Sequence, residues 1–278
     1  MSRGIHLYCF ARPGVLDQGD LFGIEGNDPV LALEKENVAA LYSQVSLDEV
    51  PAATPSPCPL PEGRGLGEGG ASPETAWLIR RVCRHAQVIE EIMKRSEVLP
   101  VRFGAVFSGP DALENLLSSR QREIAGFLDC MLAKEEWEVK GTLDSPRAEA
   151  WLLATDPVFA HRVSIMSGSL GTRYFQERRL KGDLQQQVQI HLRATMEECL
   201  QDWRATVAEF RLIQARAARN DGEVLFHGAF LVKHEQAPEF CRKVMAAAER
   251  EAARGLVLVN TGPLPPFHFC PSLEGPVP

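Results

Sequence analysis

The sequence lacks the clustered soft ligands that a metal site requires. Its seven cysteines are scattered along the chain, and no two of them stand at the CxxC spacing of zinc sites and thiol redox motifs. A dispersed, odd-numbered set is typical of reduced thiols that act as small buried apolar groups. We therefore expect reduced cysteines and no metal ligands.

An excess of basic charge is also missing. Thirty Lys and Arg residues are outnumbered by 37 Asp and Glu residues, which gives a formal net charge of −7. Because a surface that binds nucleic acid is normally a basic patch, we expect no nucleic-acid partner. No apolar run approaches the roughly 20 residues that cross a bilayer, and residues 1–8 contain no long apolar core. We expect a cytoplasmic protein without a membrane partner.

Catalytic motifs are absent as well. The sequence contains no GxSxG, HExxH or P-loop pattern and no Cys–His motif with an informative spacing. An enzyme needs a nucleophile, a base and an anion-binding group that converge on one place. We therefore predict no catalytic residues, no bound cofactor and no enzymatic activity.

Short strands and amphipathic helices are what the sequence does contain. The apolar residues of Leu99–Phe107 alternate, which predicts a short buried strand with Pro100 at its start or edge. Ser108 is the predicted N-cap of the next helix, and Pro110 suits its first turn. The expected fold class is thus α+β.

Further elements are predicted before this strand. Period-2 segments predict strands at residues 4–10 and 38–45, and a helix at residues 73–95 carries His85. No nucleophile or carboxylate is placed beside His85 by the sequence, so we interpret it as a hydrogen-bonded structural side chain. Residues 51–72 contain five prolines and five glycines. This composition cannot pack a core, which predicts a mobile insertion.

The length of 278 residues favours two domains. We assign an N-terminal mixed α+β sheet domain to residues 1–133 and a C-terminal domain to residues 134–278. The C-terminal domain is predicted to contain a half-buried strand from Trp137, a long helix at about 172–219 that must project or bend, a strand at 223–233, a helix at 237–254 and a short central strand at 256–259. This order predicts a ferredoxin-like α+β unit.

The C-terminal tail, residues 262–269, has too many prolines for a helix or an inner strand. Prolines restrict the unfolded chain, which lowers the entropic cost of docking Phe267 and Phe269. Two interpretations are open. The tail either packs back onto its own domain or contacts a partner.

Two motifs carry a family resemblance. The run Leu-Pro-Val-Arg-Phe-Gly at residues 99–104 follows the helix with His85 and precedes Glu-Trp-Glu-Val-Lys at residues 136–140. Near the C-terminus, Gly-Pro-Leu-Pro-Pro-Phe-His-Phe at residues 262–269 is similar to the family signature Gly-Pro-Trp-Pro-Pro-Tyr-x-Phe. With these motifs in order over residues 5–269, the chain resembles the gas vesicle GvpF/GvpL family of accessory shell proteins.

The resemblance implies a minor structural or assembly protein of the gas vesicle, the hollow shell that provides buoyancy. It implies binding to the main shell protein, contact with other accessory gas vesicle proteins, and a location in the cytoplasm at the vesicle shell. It also implies a modified ferredoxin-like second domain with a Pro-rich tail. The residues alone leave an alternative, a regulatory module that binds a small molecule on a ferredoxin-like scaffold.

Specific residues follow from the matched motifs. The residues expected to be structural are His85, Pro100, Arg102, Phe103, Gly104, Trp137, Lys140, Gly262 and Pro263. The residues expected to bind a partner are Pro265, Pro266, Phe267 and Phe269, together with the exposed side of the long helix.

Overall fold

The computed structural model describes residues 3–16, 21–46, 73–214 and 223–271. The predicted insertion at residues 51–72 lies outside these ranges. The described residues form a mixed α+β structure with two antiparallel sheets and six α-helices. Within those ranges, each helix is too short or too polar to cross a membrane.

The first sheet and its helices are built from residues before 132. The elements are β1 (Arg3–Ala11), β2 (Leu31–Lys35), β3 (Val38–Ser46), α1 (Pro73–Met93), β4 (Leu99–Pro100), β5 (Val106–Phe107) and α2 (Pro110–Met131). The strand order is β2-β3-β1-β4, and β5 also pairs with β1. Strand β1 is central and buried along nearly its whole length. One side of this sheet packs on α1, where Tyr8 and Leu41 join Val88, Ile89 and Ile92 in one apolar cluster.

The continuous strand predicted for Leu99–Phe107 is wrong. A turn at Phe103 and Gly104 separates β4 from β5, and Gly104 adopts a φ of +97° that favours glycine. The segment still follows β1, because the backbone N–H of Val101 donates to Tyr8 and that of Leu7 donates to Ala105. The helix N-cap is Gly109 rather than Ser108.

The second sheet and its helices lie between residues 133 and 264. The elements are β6 (Lys134–Leu143), α3 (Ser145–Thr155), α4 (Pro157–Ser164), α5 (Leu170–Arg204), β7 (Glu209–Leu212), β8 (Glu223–Lys233), α6 (Ala237–Ala252) and β9 (Leu256–Leu264). The strand order is β7-β8-β6-β9, and every neighbouring pair is antiparallel. The apolar side of the sheet packs on α5 and α6 around Trp203, Phe230 and Phe240.

The long helix ends earlier than the sequence predicts. Helix α5 stops at Arg204, and the backbone and hydroxyl of Thr206 both donate to the carbonyl of Trp203. The residues that follow form the edge strand β7, where Phe210 packs against Phe226 and Phe230. The three-to-four spacing of Val207 and Phe210 resembled helix periodicity, although Phe210 belongs to the sheet.

Strand β9 also differs from the prediction. It extends to Leu264 and, among the strands that the structure describes, pairs with β6 alone, so it is an edge strand rather than a central one. After the buried Leu256, its residues alternate between exposed and partly buried, as expected for a strand with one covered face. Pro263 is tolerated in this strand because an edge strand need not donate every N–H group.

The chain divides into two compact units, Met1–Leu132 with Pro265–Pro278, and Ala133–Leu264. This division differs from the sequence-based assignment at the tail, which had been placed in the C-terminal domain. The physical reason is a set of contacts made by the tail. Phe267 packs against the apolar cluster under α1, and the Cys270 thiol lies 3.9 Å from the carbonyl oxygen of Pro100.

Candidate partner-binding surface

The first ten residues of α5 carry no buried side chain. Every residue from Leu170 to Arg179 is exposed, whereas buried residues recur from Leu180 onward. Ser169 caps the helix, since its side chain accepts a hydrogen bond from the backbone N–H of Thr172 at 3.3 Å. At a rise of about 1.5 Å per residue, this exposed segment is roughly 15 Å long. The projection predicted for part of the long helix therefore occurs at its N-terminal end.

Large apolar side chains occupy this exposed segment. Leu170 is 91% exposed and Phe175 is 70% exposed, and Tyr174 is also exposed. The rings of Tyr174 and Phe175 meet edge to face with centroids 5.7 Å apart. Leaving such side chains in water forgoes about 1.5–3 kcal/mol each relative to full burial.

Helix α4 and the connection to α5 add to the same stretch. Val158, Val163 and Ile165 are exposed as well. We define the apolar surface as the six exposed side chains between residues 158 and 175, namely Val158, Val163, Ile165, Leu170, Tyr174 and Phe175. Large exposed apolar patches are typical of interaction sites, and these six side chains lie within 18 consecutive residues.

The polar side chains interspersed with the apolar surface are mainly basic. The exposed cations on this part of α5 are Arg173, Arg178, Arg179 and Lys181, and Glu177 is the carboxylate among them. Arg173 and Glu177 form an exposed pair with a separation of 3.8 Å. In a chain of net charge −7, this stretch is locally positive. The surface therefore combines apolar contact with attraction for acidic groups.

Helices α4 and α5, which carry the apolar surface, are held by a helix cap and an ion pair. Asp156 caps α4, its carboxylate accepting from the backbone N–H of Val158 at 2.8 Å. Arg162 of α4 binds Asp183 of α5 at 2.7 Å, and the Arg162 guanidinium lies over the ring of the buried Phe159. Five of the six exposed apolar side chains thus lie on two connected helices, and Ile165 lies at the C-cap of α4.

The tail residues predicted to bind a partner are mostly buried. Phe269 is 5% exposed, Pro265 and Pro266 are buried, and Phe267 is half-buried against the first core. Side chains already packed in this way offer little apolar area to another protein. The structure therefore favours docking of the tail within the first unit. Binding of a partner by Pro265, Pro266, Phe267 and Phe269 stays a prediction.

Trp137 and Gly262, two of the matched motif residues, meet directly. A Cβ atom added at Gly262 would lie 2.6 Å from the Trp137 ring and 3.1 Å from the carbonyl oxygen of Glu136. Gly262 precedes Pro263 through a cis peptide bond. Lys140 is half-buried on the same strand as Trp137 and lies between His227 of β8 and Val259 of β9. These motif residues are placed in packing and pairing positions.

His85 has a defined hydrogen-bonding role. Its Nε2 lies 2.9 Å from the carbonyl oxygen of Val101, which requires a proton on Nε2 and leaves Nδ1 as an acceptor. His6 donates to that Nδ1 through its own Nε2 at 2.9 Å. Burial lowers the pKa of His85 to about 4 and lowers that of His6 well below its ordinary value. Both imidazoles are therefore neutral at neutral pH.

The remaining motif residues surround this pair. Pro100 is buried and pairs with Cys9 of β1, and the ring of Phe103 lies 5.4 Å from His6 and 5.6 Å from His85. Arg102 differs from these neighbours, because it is exposed and forms no ion pair with a described residue. The structural role predicted for Arg102 is thus unsupported by any contact in the described ranges.

The sequence-based prediction named the exposed side of the long helix as a partner surface and did not include α4. The break at Asp156 and Pro157 obscured that helix, although Asp at the N-cap followed by Pro in the first turn is itself a helix-start signal. Recognising it would have placed Val158 and Val163 on a helix next to α5.

Comparison with known proteins gives one consistent relationship. A family model described as gas vesicle synthesis protein GvpL/GvpF matches residues 4–271. A curated relative, gas vesicle protein F of Streptomyces sp. (strain CB03234), is 28% identical over 192 residues, which cover 68% of this chain and 77% of the relative.

Solved structures agree on the fold. The crystal structure of gas vesicle protein GvpF from Anabaena sp. PCC7120 has a TM-score of 0.67 at 15% identity, covering 97% of this chain and 99% of that one. The GvpF structure from Microcystis aeruginosa has a TM-score of 0.62 at 17% identity, with coverage of 96% and 98%. At these identities the similarity establishes the shared fold.

Proposed function

Because this chain belongs to the gas vesicle synthesis protein GvpL/GvpF family, we propose that it is an accessory protein that binds the main gas vesicle shell protein and supports vesicle formation. A gas vesicle-related role follows from family membership. The proposal adds the partner, an assembly role that contributes to buoyancy, and a location in the cytoplasm at the vesicle shell. It assigns no catalysed reaction and no cofactor.

The observation that carries the proposal is the apolar surface of α4 and α5. A protein that meets a subunit with apolar faces in water needs exposed apolar side chains with polar groups around them. Leu170, Tyr174 and Phe175 supply the apolar contact, and the neighbouring arginines supply the polar surroundings. We therefore assign the shell-protein contact to this surface instead of the buried tail.

We also propose that the unit from Ala133 to Leu264 is a modified ferredoxin-like fold. Counting α3, α4 and α5 as one crossover, its elements run strand, helix, strand, strand, helix, strand. In its sheet order, β7-β8-β6-β9, the first and third strands are central and the second and fourth are edges. That arrangement supports a split βαβ topology. The three-helix crossover is the modification.

Deletion of the gene tests the assembly role. We expect the deletion strain to contain few or no mature vesicles by electron microscopy, and a plasmid copy to restore them. Affinity purification of the tagged chain should recover the main shell protein from the restored strain. Normal vesicles in the deletion strain, together with no recovery of the shell protein, would remove both the role and the partner.

A further inference from the structure

The first unit contains a cavity between α1 and the loop that precedes β2. Its volume is about 330 Å³, and its wall includes Trp77, Arg80, Arg81 and Arg84 from α1 and Glu25 from the loop. The volume is at the lower end of the range for small-ligand sites, about 300–1,000 Å³. The cavity is therefore large enough for one small molecule.

The described residues that line this cavity carry more positive than negative charge. Arg81 is only 7% exposed, pairs with Glu25 at 3.3 Å and stacks over the Trp77 ring at 4.0 Å. Glu25 also accepts from the backbone N–H of Ser46 at 3.1 Å. The carboxylate in the cavity wall is thus committed to Arg81 and the backbone. Among the described residues that line the cavity, no second carboxylate stands beside Arg80 and Arg84.

Two of the guanidinium groups are held in place before any ligand arrives. Arg84 donates to the carbonyl oxygen of Phe22 from Nε at 3.1 Å and from a terminal nitrogen at 2.8 Å, and it also donates to Gln87. Arg81 is fixed by Glu25 and Trp77. Fixed donors lose little conformational entropy on binding, which favours affinity. Arg80, one residue before Arg81, is exposed at the same wall.

We propose that this cavity binds a small phosphate-bearing anion, of a size between pyrophosphate and a nucleotide. Guanidinium groups present planar pairs of N–H donors that match phosphate oxygens, and several together suit an anion with more than one negative charge. A ligand with a single carboxylate would neutralise only part of the positive charge of the arginines. The proposal concerns a different unit from the apolar surface and is independent of the shell-protein contact.

Calorimetric titration of the full chain with pyrophosphate tests the proposal. We expect saturable binding of one pyrophosphate per chain. Loss of one charged hydrogen-bond donor should weaken binding roughly tenfold, so Arg80→Gln and Arg84→Gln should each show that loss. Arg84 also donates to the Phe22 carbonyl, so Arg84→Gln could weaken binding by destabilising the fold, and its thermal unfolding is measured as well. Arg80 is exposed, so the effect of Arg80→Gln on binding is easier to interpret.

A matched control and two further ligands make the outcome decisive. Arg122→Gln removes one exposed positive charge from α2 and should bind pyrophosphate like wild type. Tighter binding of ATP than of pyrophosphate would indicate a nucleotide, and equal binding would limit recognition to the phosphates. Absence of saturable binding at millimolar pyrophosphate, an equal loss in Arg122→Gln, or equally tight binding of succinate would overturn the proposal.

Discussion

The Nε2 atom of His6 lies 2.9 Å from the Nδ1 atom of His85, and both imidazoles are buried. This contact joins the central strand β1 to helix α1. His85 continues the chain of hydrogen bonds to the carbonyl oxygen of Val101, in the segment between β4 and β5. Two neutral side chains therefore hold β1 to α1 and to the segment that follows α1. Protonation of either imidazole is expected to lower the stability of the fold.

Acid is expected to destabilise the protein through this pair. Burial lowers the pKa of His85 from 6.5 to about 4, and burial, together with the proximity of His85, lowers that of His6. The unfolded chain then binds more protons below pH 6.5, so stability is complete above that pH and is lost as the pH falls toward 4. For His85 the loss is on the order of 2 kcal/mol by pH 5.

Urea unfolding at pH 7.5 and pH 5 measures this loss. We expect His85→Gln to be less stable than wild type at pH 7.5 but to lose less stability on acidification. His161→Gln, at an exposed position on α4, serves as the control and should follow wild type at both pH values. If His85→Gln loses as much stability on acidification as wild type, the imidazole pair is not the source of acid sensitivity.

Gly262→Ala should destabilise the second unit. The new methyl group would lie 2.6 Å from the Trp137 ring, closer than real side-chain contacts, so the ring or the strand must move. Overpacking of this kind typically costs about 1–3 kcal/mol. Gly126→Ala is the matched control, because a Cβ there meets no atom within 4 Å and lies in helix α2. Its stability should be unchanged or increased by up to about 1 kcal/mol. Equal stability of the two variants, measured by thermal unfolding, would contradict the packing role of Gly262.

Arg102→Leu should leave stability nearly unchanged, within about 0.5 kcal/mol, because the side chain is exposed. Arg81→Leu, by contrast, should cost about 1–3 kcal/mol, since it removes the ion pair with Glu25 and the stacking on Trp77. Chemical denaturation of the two variants compares them directly. A large loss for Arg102→Leu would mean that the segment between β4 and β5 depends on a contact outside the described residues.

Periodicity predicted the elements whose apolar residues recur regularly in the sequence. Strand β8 and helices α1 and α2 were placed within a few residues, because the apolar residues of each recur at the spacing of its secondary structure. The predicted strand at Leu99–Phe107 failed because alternation carries no information about Gly104, whose positive φ interrupts the ladder. Strand β7 failed because Phe210 sits at a helical spacing from Trp203 while it packs in the sheet.

The candidate surface was only partly predictable for a related reason. The amphipathic pattern identifies which residues of a long helix could be buried, but it does not say where the helix leaves the core. In α5 that point is Leu180, before which Leu170 and Phe175 have no covering element among the described residues. The tail shows the opposite case, because Phe267 packs against the apolar cluster under α1, whose residues lie far away in sequence.

Polar substitution of the apolar surface should not harm folding. Leu170→Ser and Phe175→Ser replace exposed side chains, so the double variant should unfold within about 1 kcal/mol of wild type. Ile190→Ser is the matched control, since Ile190 is also an exposed apolar residue of α5 but lies beyond the segment 158–175. Thermal unfolding of the three proteins checks this. A double variant that unfolds well below wild type would indicate that the two side chains are packed.

Co-purification of these variants with the main shell protein tests the central claim most directly. The tagged wild-type chain and Ile190→Ser should recover equal amounts of shell protein after co-expression. The Leu170→Ser/Phe175→Ser double variant, folded to the same extent, should recover at least roughly tenfold less, because about 1.4 kcal/mol of lost apolar contact suffices for that change. Recovery by the double variant equal to that of wild type would contradict the assignment of the shell-protein contact to this surface.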